Sequence, residues 1–409
     1  MNLLILGNEL SAEEALSMIP LKGTKFDSVV DLANKKYICQ SGPVKFNNLI
    51  ELIEGIESLG TQYEYIVVSG GVLNFASEIN IRTALSGLMG RVTNKLIYID
   101  RLARFKAKSS ELSRVLYAIN FYPDLSEIKE KDYSFLEFKK KGNWFEFERE
   151  QTLHKISEKS ISTNHLLDKL EFAIQHATSF SFVRINHCEN RLLGYGLTFS
   201  KEEANITYDI QFGYELCEDE TNYISSRIKD AVRNSDVLGV PIPKEISTNK
   251  LHLLENTTSV HFMRNSLLRE QSFMNVNTHY HLGENIRFKD VLNQADKVIA
   301  ITCRNIDLLS DQLNKPIDVI SIPSEHRHSN NMYSKNHFPD RFYEIERELE
   351  IKVTSKTVVL IGAGILAKVY CDIVKSNGGI AIDVGSLMDA VENVSSRGDG
   401  FGRFNFWWK

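Results

Sequence analysis

The chain has 409 residues, of which 43% are hydrophobic and 25% are charged. These values are typical of a globular protein and exclude a disordered chain, a collagen-like fibre and a coiled coil. The 48 basic and 53 acidic side chains give a formal net charge of −5, so we expect no nucleic-acid partner. No apolar run reaches the roughly 18 residues of a membrane span, and no basic residue precedes the first apolar stretch, so we expect neither a membrane span nor a signal peptide.

The cysteines favour a reducing compartment. The sequence has five, widely spaced and without a CxxC pair, which is unlike a disulfide framework or a zinc knuckle. We therefore expect a cytoplasmic protein.

Apolar runs alternate with helical segments along most of the chain. The predicted strands are Asn2–Leu6, Ser28–Leu32, Tyr65–Val68, Leu96–Ile99, Phe180–Ile185, Asp236–Val240, Val298–Cys303, Ile317–Ile322, Thr357–Ile361 and Ile380–Val384. The predicted helices include a segment capped near Ser11, Phe46–Leu59, Ala84–Met89, Asn164–His176 and a helix through Ile224–Val232. This alternation predicts mostly parallel sheets covered by helices.

We predict two Rossmann-like α/β domains. The first covers residues 1–125, and the second covers residues 162–409. A connector over residues 126–161 mixes charged and aromatic side chains. Such a mixture is found in some single-strand nucleic-acid binders, but the acidic net charge favours aromatics that anchor the connector on a domain.

A glycine motif follows a predicted strand near the end of the chain. Gly362 and Gly364 belong to a G-x-G-x-x-A pattern that opens a helix, and Asp383 lies 21 positions after Gly362. Glycines let the backbone approach a ligand, and a helix start offers N–H groups to a phosphate. The pattern predicts nucleotide binding, with a purely structural glycine turn as the alternative.

Polar residues also crowd other predicted strand ends. Arg184, His187 and Glu189 follow one strand, and in an extended segment His187 and Glu189 point the same way. The pair is suited to a divalent metal or to acid–base work, and a salt-bridged loop is the alternative. His279 and His281 are a weaker metal candidate, and ordinary partly exposed histidines are the favoured interpretation.

Three segments together resemble a known family. Residues 184–189 resemble the Arg-aromatic-Gly-Asp-Gly-Glu strand end of the GT-D-type glycosyltransferases. Residues 236–241 are similar to that family's Ala-Asp-x-x-Gly-x-Pro segment, and residues 358–389 resemble its closing unit. The resemblance covers residues 162–397 and implies transfer of a sugar from a nucleotide-diphosphate donor, a UDP-sugar first of all, to a glycan of a capsule, O-antigen or other cell-surface polysaccharide.

The sequence departs from the family at its metal motif. In the family an Asp-x-Glu pair holds the metal that bridges the donor diphosphate, and by position His187 replaces the aspartate while Glu189 keeps the glutamate. His187 and Glu189 are therefore candidate ligands of Mn²⁺ or Mg²⁺, although histidine prefers softer ions than magnesium. A metal-independent enzyme is the alternative.

The chemistry of the transfer suggests a role for each residue. The departing diphosphate needs positive charge or N–H donors, for which we propose Arg184, Arg304 and the Gly362–Gly364 turn. Candidate general bases are Glu189, His187 and Asp236, with Glu189 preferred. Asp383 is placed to bind a ribose hydroxyl. Lys368 either reaches phosphate or is exposed, and Arg397 is suited to closing over the site.

The remaining expectations concern partners and competing functions. We expect the N-terminal domain to be a second transferase-like domain, an acceptor-binding domain or an oligomerisation module. A GT-B-type arrangement would instead place the cleft between the two halves.

Aromatic residues 401–408 are suited to the inner face of a membrane and a lipid-linked glycan, or else they fold back onto the protein. The competing functions are an NAD(P)-dependent oxidoreductase and a non-enzymatic glycan-assembly protein.

Overall fold

The structure is a computed structural model. It describes residues 2–7, 25–32, 34–39, 42–60, 63, 65–69, 84, 88, 96–99, 105–106, 152, 155–241, 257–326, 336–394, 401 and 404–409. The chain divides into two compact units, residues 1–130 with 160–164 and residues 131–159 with 165–409. Most of the predicted connector, the segment after Ser11 and most of Ala84–Met89 lie outside the described residues.

The first unit contains a mixed seven-stranded sheet. Its strands are β1 Asn2–Gly7, β2 Lys25–Asp31, β3 Lys36–Cys39, β4 Gly42–Lys45, β5 Tyr65–Ser69, β6 Leu96–Ile99 and β7 Phe105–Lys106. The order is β4-β3-β2-β1-β5-β6-β7. The four central strands are parallel, as predicted, while β3, β4 and β7 add antiparallel edges that the sequence did not predict.

Helix α1, Leu49–Ser58, shows how the first unit builds its core. The side chain of Asn48 caps the helix by accepting from the Glu51 N–H at 2.9 Å, which satisfies a donor that the first turn leaves unpaired. Leu52 and Ile56, one turn apart, are fully buried in the cluster that also contains Leu4 and Ile66 of the sheet. The predicted helical spacing is therefore confirmed.

The second unit contains a parallel seven-stranded sheet. Its strands are β8 Phe180–Arg184, β9 Val237–Val240, β10 Ser272–Asn275, β11 Lys297–Thr302, β12 Ile317–Ser321, β13 Thr357–Ile361 and β14 Ile380–Asp383. The order is β10-β9-β8-β14-β13-β11-β12, and all neighbours are parallel. The residues of β8, β9, β13 and β14 are buried throughout, as in a sheet covered on both faces. The predicted α/β class is confirmed.

Helices connect these strands. They are α2 Thr163–Gln175, α3 His187–Leu193, α4 Lys201–Phe212, α5 Glu218–Asn234, α6 Thr258–Arg264, α7 Thr278–Glu284, α8 Ile286–Gln294, α9 Asp307–Ser310, α10 Phe342–Lys352, α11 Ala367–Ser376 and α12 Leu387–Val391. A short segment, His337–Arg341, in which Phe338 has an extended backbone, precedes α10, and a 3₁₀ turn, Gly364–Leu366, precedes α11. No helix within the described ranges is long and apolar enough to cross a membrane.

The aromatic C-terminal residues lie against the protein itself. Phe401, Phe406 and Trp408 are buried, and the rings of Phe406 and Trp408 stack with centroids 4.8 Å apart. The Trp407 backbone N–H donates to the Gly283 carbonyl of α7 at 3.0 Å. These buried rings therefore fold back onto the protein, which is the second of the two arrangements expected from the sequence.

We expect Phe406→Ala to lower the free energy of unfolding by about 3–5 kcal/mol, because it empties a packed site beside Gly283. Urea denaturation measures this loss. Ile351 is 81% exposed, and Ile351→Ala should change stability by less than about 0.5 kcal/mol. Equal losses in the two variants would contradict the packing described for the C-terminal residues.

Candidate functional site

A pocket lies at the carboxyl ends of five neighbouring strands of the second sheet. Its walls come from the segments that follow β8, β14, β13, β11 and β12. The space between its walls, counting the part open to solvent, is about 1060 Å³. All lining residues belong to the second unit. The lining includes Arg184, His187, Glu189, Gln211, Arg304, Glu325, Gly362, Gly364, Lys368, Ser386 and Asp389.

The segment after β8 begins a helix instead of continuing as an extended chain. Asn186 is the N-cap of α3, and its side chain accepts from the His187 N–H at 2.9 Å. Glu189 completes a capping box by accepting from the Asn186 N–H at 2.9 Å. The expectation that His187 and Glu189 point the same way is wrong, because residues two apart on a helix face different directions.

A buried chain of alternating charges lies beneath the pocket. The Lys368 ammonium is 2.8 Å from Glu189 Oε1 and 2.9 Å from Asp383 Oδ2, and it donates to the Gly364 carbonyl at 3.2 Å. The Arg184 guanidinium is 3.7 Å from Asp383 Oδ1. All four charged side chains are buried. Lys368 is therefore buried rather than exposed, and three acceptors surround the three donors of its ammonium.

The pairing keeps these groups ionised. Burial by itself raises the pKa of Glu189, but the ammonium of Lys368 and the Asn186 N–H outweigh burial, so its pKa is lowered. Burial by itself lowers the pKa of Lys368, but Asp383 and Glu189 outweigh it and its pKa is raised. Glu189 is thus a weak base whose two oxygens are both engaged.

These residues do not fit a divalent cation. Lys368 occupies the position between the two carboxylates where a cation would sit. Among the described residues, no three His, Cys, Asp or Glu side chains are grouped so as to hold a metal ion.

The glycine turn after β13 adopts the conformation that its sequence suggests. Gly364 has φ +56, a left-handed conformation that costs a non-glycine residue energy. The amide oxygen of Gln211, from α4, accepts from the Ile365 N–H at 3.2 Å, and its amide nitrogen donates to Glu325 Oε1 at 3.0 Å. Sequence reasoning missed Gln211, which carries no local motif and is more than 150 positions from the turn.

The two predicted arginines have different surroundings. Arg184 is buried, and its Nε donates to the Val276 carbonyl at 2.7 Å. Arg304 lines the pocket, and its Nε donates to Asp389 Oδ1 at 2.7 Å. The guanidinium of Arg304 has five N–H donors, so this contact orients it without using all of them.

Two predicted site residues lie elsewhere. Asp236 directly precedes β9 and therefore lies at the amino end of the sheet, where Oδ2 accepts from the Ser181 N–H at 2.8 Å and lies 2.7 Å from the ammonium of Lys375. Its assignment as a base in the pocket is wrong, because a residue before a parallel strand is at the edge opposite the residues after it. Asp383 is fully buried and contacts Lys368, so it does not offer the predicted contact to a ribose hydroxyl. Arg397 lies outside the described residues.

Three further histidines, His279, His281 and His337, are buried or line the pocket and contact other protein groups. His279 and His281 lie in α7, where residues two apart diverge, so they form no joint metal site. His337 lines the pocket and contacts the Tyr370 hydroxyl at 3.1 Å. Burial, followed by the charge of Arg341, lowers the pKa of His337 to about 3, so this imidazole is neutral.

Comparison with known proteins identifies the family. Residues 161–391, more than half of the chain, match a family described as a GT-D fold-like domain. The chain belongs to this GT-D-like family, and the resemblance seen in the sequence over residues 162–397 is confirmed. Membership supports a glycosyltransferase as the class of protein.

Solved structures show weaker likenesses. One, described as "The highly conserved domain of unknown function 1792 has a distinct glycosyltransferase fold", is 17% identical, with 56% of this chain and 78% of that chain covered and a TM-score of 0.35. Another, described as a new glycosyltransferase from Streptococcus sanguinis, is 16% identical, with 58% and 82% covered and a TM-score of 0.35. No curated protein matches the chain. The assignment of this chain to the GT-D-like family therefore rests on the match over residues 161–391.

The lowered pKa of Glu189 predicts a pH dependence of stability. The carboxylate stabilises the folded chain above its ordinary pKa, and this contribution is lost as the pH falls through the lowered pKa. Glu189→Gln removes the titration, so between about pH 6 and pH 3 its free energy of unfolding should fall less steeply than that of the wild type. Urea unfolding at each pH measures the slope. The control is Glu350→Gln at an exposed position, which should keep the wild-type slope. If the free energy of unfolding falls in parallel with pH in all three proteins, the buried pairing of Glu189 is contradicted.

Gly364→Ala and Gly378→Ala separate backbone strain from the contact with Gln211. Both glycines have positive φ, +56 and +84, so each alanine should cost about 1–3 kcal/mol. A Cβ at Gly378 meets nothing within 4 Å, whereas one at Gly364 overlaps the amide oxygen of Gln211. Because Gln211 must then turn away and lose its hydrogen bonds, Gly364→Ala should cost about 1 kcal/mol more. Equal losses in urea unfolding would show that Gln211 does not brace the turn.

Proposed function

We propose that this chain is a glycosyltransferase that moves a sugar from a nucleotide-diphosphate donor to a glycan acceptor of a cell-surface polysaccharide. The donor that we propose is a UDP-sugar. The observation that carries the proposal is the pocket at the carboxyl edge of the parallel sheet, within the region that matches the GT-D-like family. Ligands of open α/β sheets bind at this edge. The wide cysteine spacing supports action in the cytoplasm.

The donor diphosphate would lie between the glycine turn and Arg304. The turn at Gly362–Gly364 brings backbone close to the pocket without a Cβ in the way, and Arg304 contributes a guanidinium already oriented by Asp389. A guanidinium suits phosphate oxygens because its planar N–H groups bind two of them at once. In this arrangement a phosphate oxygen would replace the amide oxygen of Gln211 at the Ile365 N–H.

We assign the base to His187. Of the three bases expected from the sequence, Asp236 lies at the opposite edge and Glu189 has both oxygens engaged. His187 lines the pocket in the first turn of α3, with Nδ1 3.3 Å from Asn186 Oδ1. Its imidazole would take the proton of the acceptor hydroxyl as that oxygen attacks the anomeric carbon and the nucleoside diphosphate departs.

The buried state of Asp383 argues against the oxidoreductase alternative. A dinucleotide enzyme of this type uses an acidic residue at this offset to hold a ribose hydroxyl. Here the carboxylate is fully buried and bonded to Lys368 and to the Arg184 N–H. It therefore presents no oxygen to a bound nucleotide.

Thermal shift followed by a turnover assay tests the function. A ligand that binds the native state raises the melting temperature by mass action. We expect UDP and a UDP-sugar to raise it and NAD to leave it unchanged, and we expect release of UDP from the sugar donor when acceptor glycans are added. A shift with NAD alone would favour the oxidoreductase, and donor binding with no UDP release across an acceptor panel would favour the non-enzymatic assembly protein.

We expect His187→Ala to lower the rate of UDP release by about 100-fold or more, because it removes the proposed base, while the melting-temperature shift with UDP is kept. The control is His176→Ala, whose exposed ring stacks on Phe172 and which should leave the rate unchanged. An unaltered rate in His187→Ala would remove His187 from the mechanism.

A further inference from the structure

Two carboxylates converge on one point beneath the pocket, and a lysine fills that point. Glu189 comes from the first turn of α3, and Asp383 is the last residue of β14. Their oxygens lie 2.8 Å and 2.9 Å from the Lys368 ammonium. Oxygen ligands gathered in this way from separate elements are the usual setting for a divalent cation.

Lysine and a metal ion exclude each other at this point. The three ammonium protons of Lys368 are directed to Glu189, Asp383 and the Gly364 carbonyl, so the oxygens that would ligate a metal already accept hydrogen bonds. Like charges this close repel strongly in a buried site, and the guanidinium of Arg184 adds a second positive charge next to Asp383. The formal charges of these four buried side chains already sum to zero.

We propose that Lys368 is the resident cation of this site and that the chain binds its diphosphate donor without a divalent metal. The part that concerns the donor rests on the proposed function. Lys368 is a positioning residue here, because it holds Glu189, Glu189 completes the cap of α3, and the first turn of α3 carries His187 into the pocket.

The first experiment titrates Mn²⁺ into the wild-type protein, with and without UDP, and follows free Mn²⁺ by electron paramagnetic resonance. It also measures the affinity for UDP in excess EDTA and in excess Mn²⁺. We expect no Mn²⁺ site that depends on Glu189 and UDP affinities that agree within about threefold. Mn²⁺ binding that Glu189→Gln abolishes, or UDP binding that requires Mn²⁺, would overturn the proposal.

The second experiment removes the ammonium. Lys368→Ala leaves Glu189 and Asp383 facing each other with only the Arg184 guanidinium, 3.7 Å from Asp383, as a counter-charge. The folded variant should therefore acquire Mn²⁺ binding at least about tenfold tighter than the wild type. Lys375→Ala is the matched control, because Lys375 lies on the same helix but pairs with Asp236 at the opposite edge of the sheet, and it should gain no Mn²⁺ binding. A folded Lys368→Ala protein that binds no Mn²⁺ would show that the carboxylates do not form a cation-sized site and would overturn the proposal.

Circular dichroism establishes whether Lys368→Ala is folded. If the variant is unfolded, the wild-type Mn²⁺ titration still tests the proposal, because it needs no variant.

The proposed function and the lysine inference also fail in different ways. A protein that binds neither UDP nor Mn²⁺ contradicts the donor assignment while supporting the lysine as resident cation. A protein that binds UDP only with Mn²⁺ supports the donor assignment and overturns the lysine inference.

Discussion

The ammonium of Lys368, buried between two carboxylates, is the interaction on which the rest of the site depends. It ties α11 to the start of α3 through Glu189 and to the end of β14 through Asp383. Loss of one member of such a buried set leaves an uncompensated charge, which costs about 3–5 kcal/mol. The glycine turn, the first turn of α3 and the end of β14 are therefore held together by charge as well as by packing, and these are the segments that form the pocket wall.

The same interaction explains how the chain departs from the pattern of its family. Where the family has Asp-x-Glu, this chain has His187 and Glu189, and the glutamate faces inward to cap α3 and meet the lysine. The histidine is left on the pocket side. His187, in place of the aspartate that the resemblance implies, and the Lys368 ammonium between Glu189 and Asp383 each reduce the capacity of this edge to hold a metal ion. Under the proposed function, such a site would bind the diphosphate through guanidinium and backbone N–H groups.

Several expectations failed for one common reason, which is that sequence spacing does not report how a segment is folded. The spacing of His187 and Glu189 suggested one shared direction, but Asn186 begins a helix there. The signal was present in the sequence, since an asparagine followed three residues later by a glutamate is a capping box. Asp236 was placed in the pocket although it precedes its strand, and the direction of a parallel strand puts such a residue at the opposite edge. The short strands β3, β4 and β10 lack the long apolar runs that reveal a buried strand.

Local periodicity and contiguous motifs were sufficient to predict the α/β class, the central strands of both sheets, the glycine turn and the family. Which polar residues contact one another became clear only from the folded chain. Glu189 precedes Lys368 and Asp383 by more than 170 positions, and the three side chains come together because β8, β14 and α11 pack side by side. Gln211 reaches the glycine turn from a helix that carries no motif. Contacts of this kind depend on strand order and burial, which no single stretch of sequence encodes. Because of them, Glu189, a candidate metal ligand in the sequence, forms an internal ion pair with Lys368.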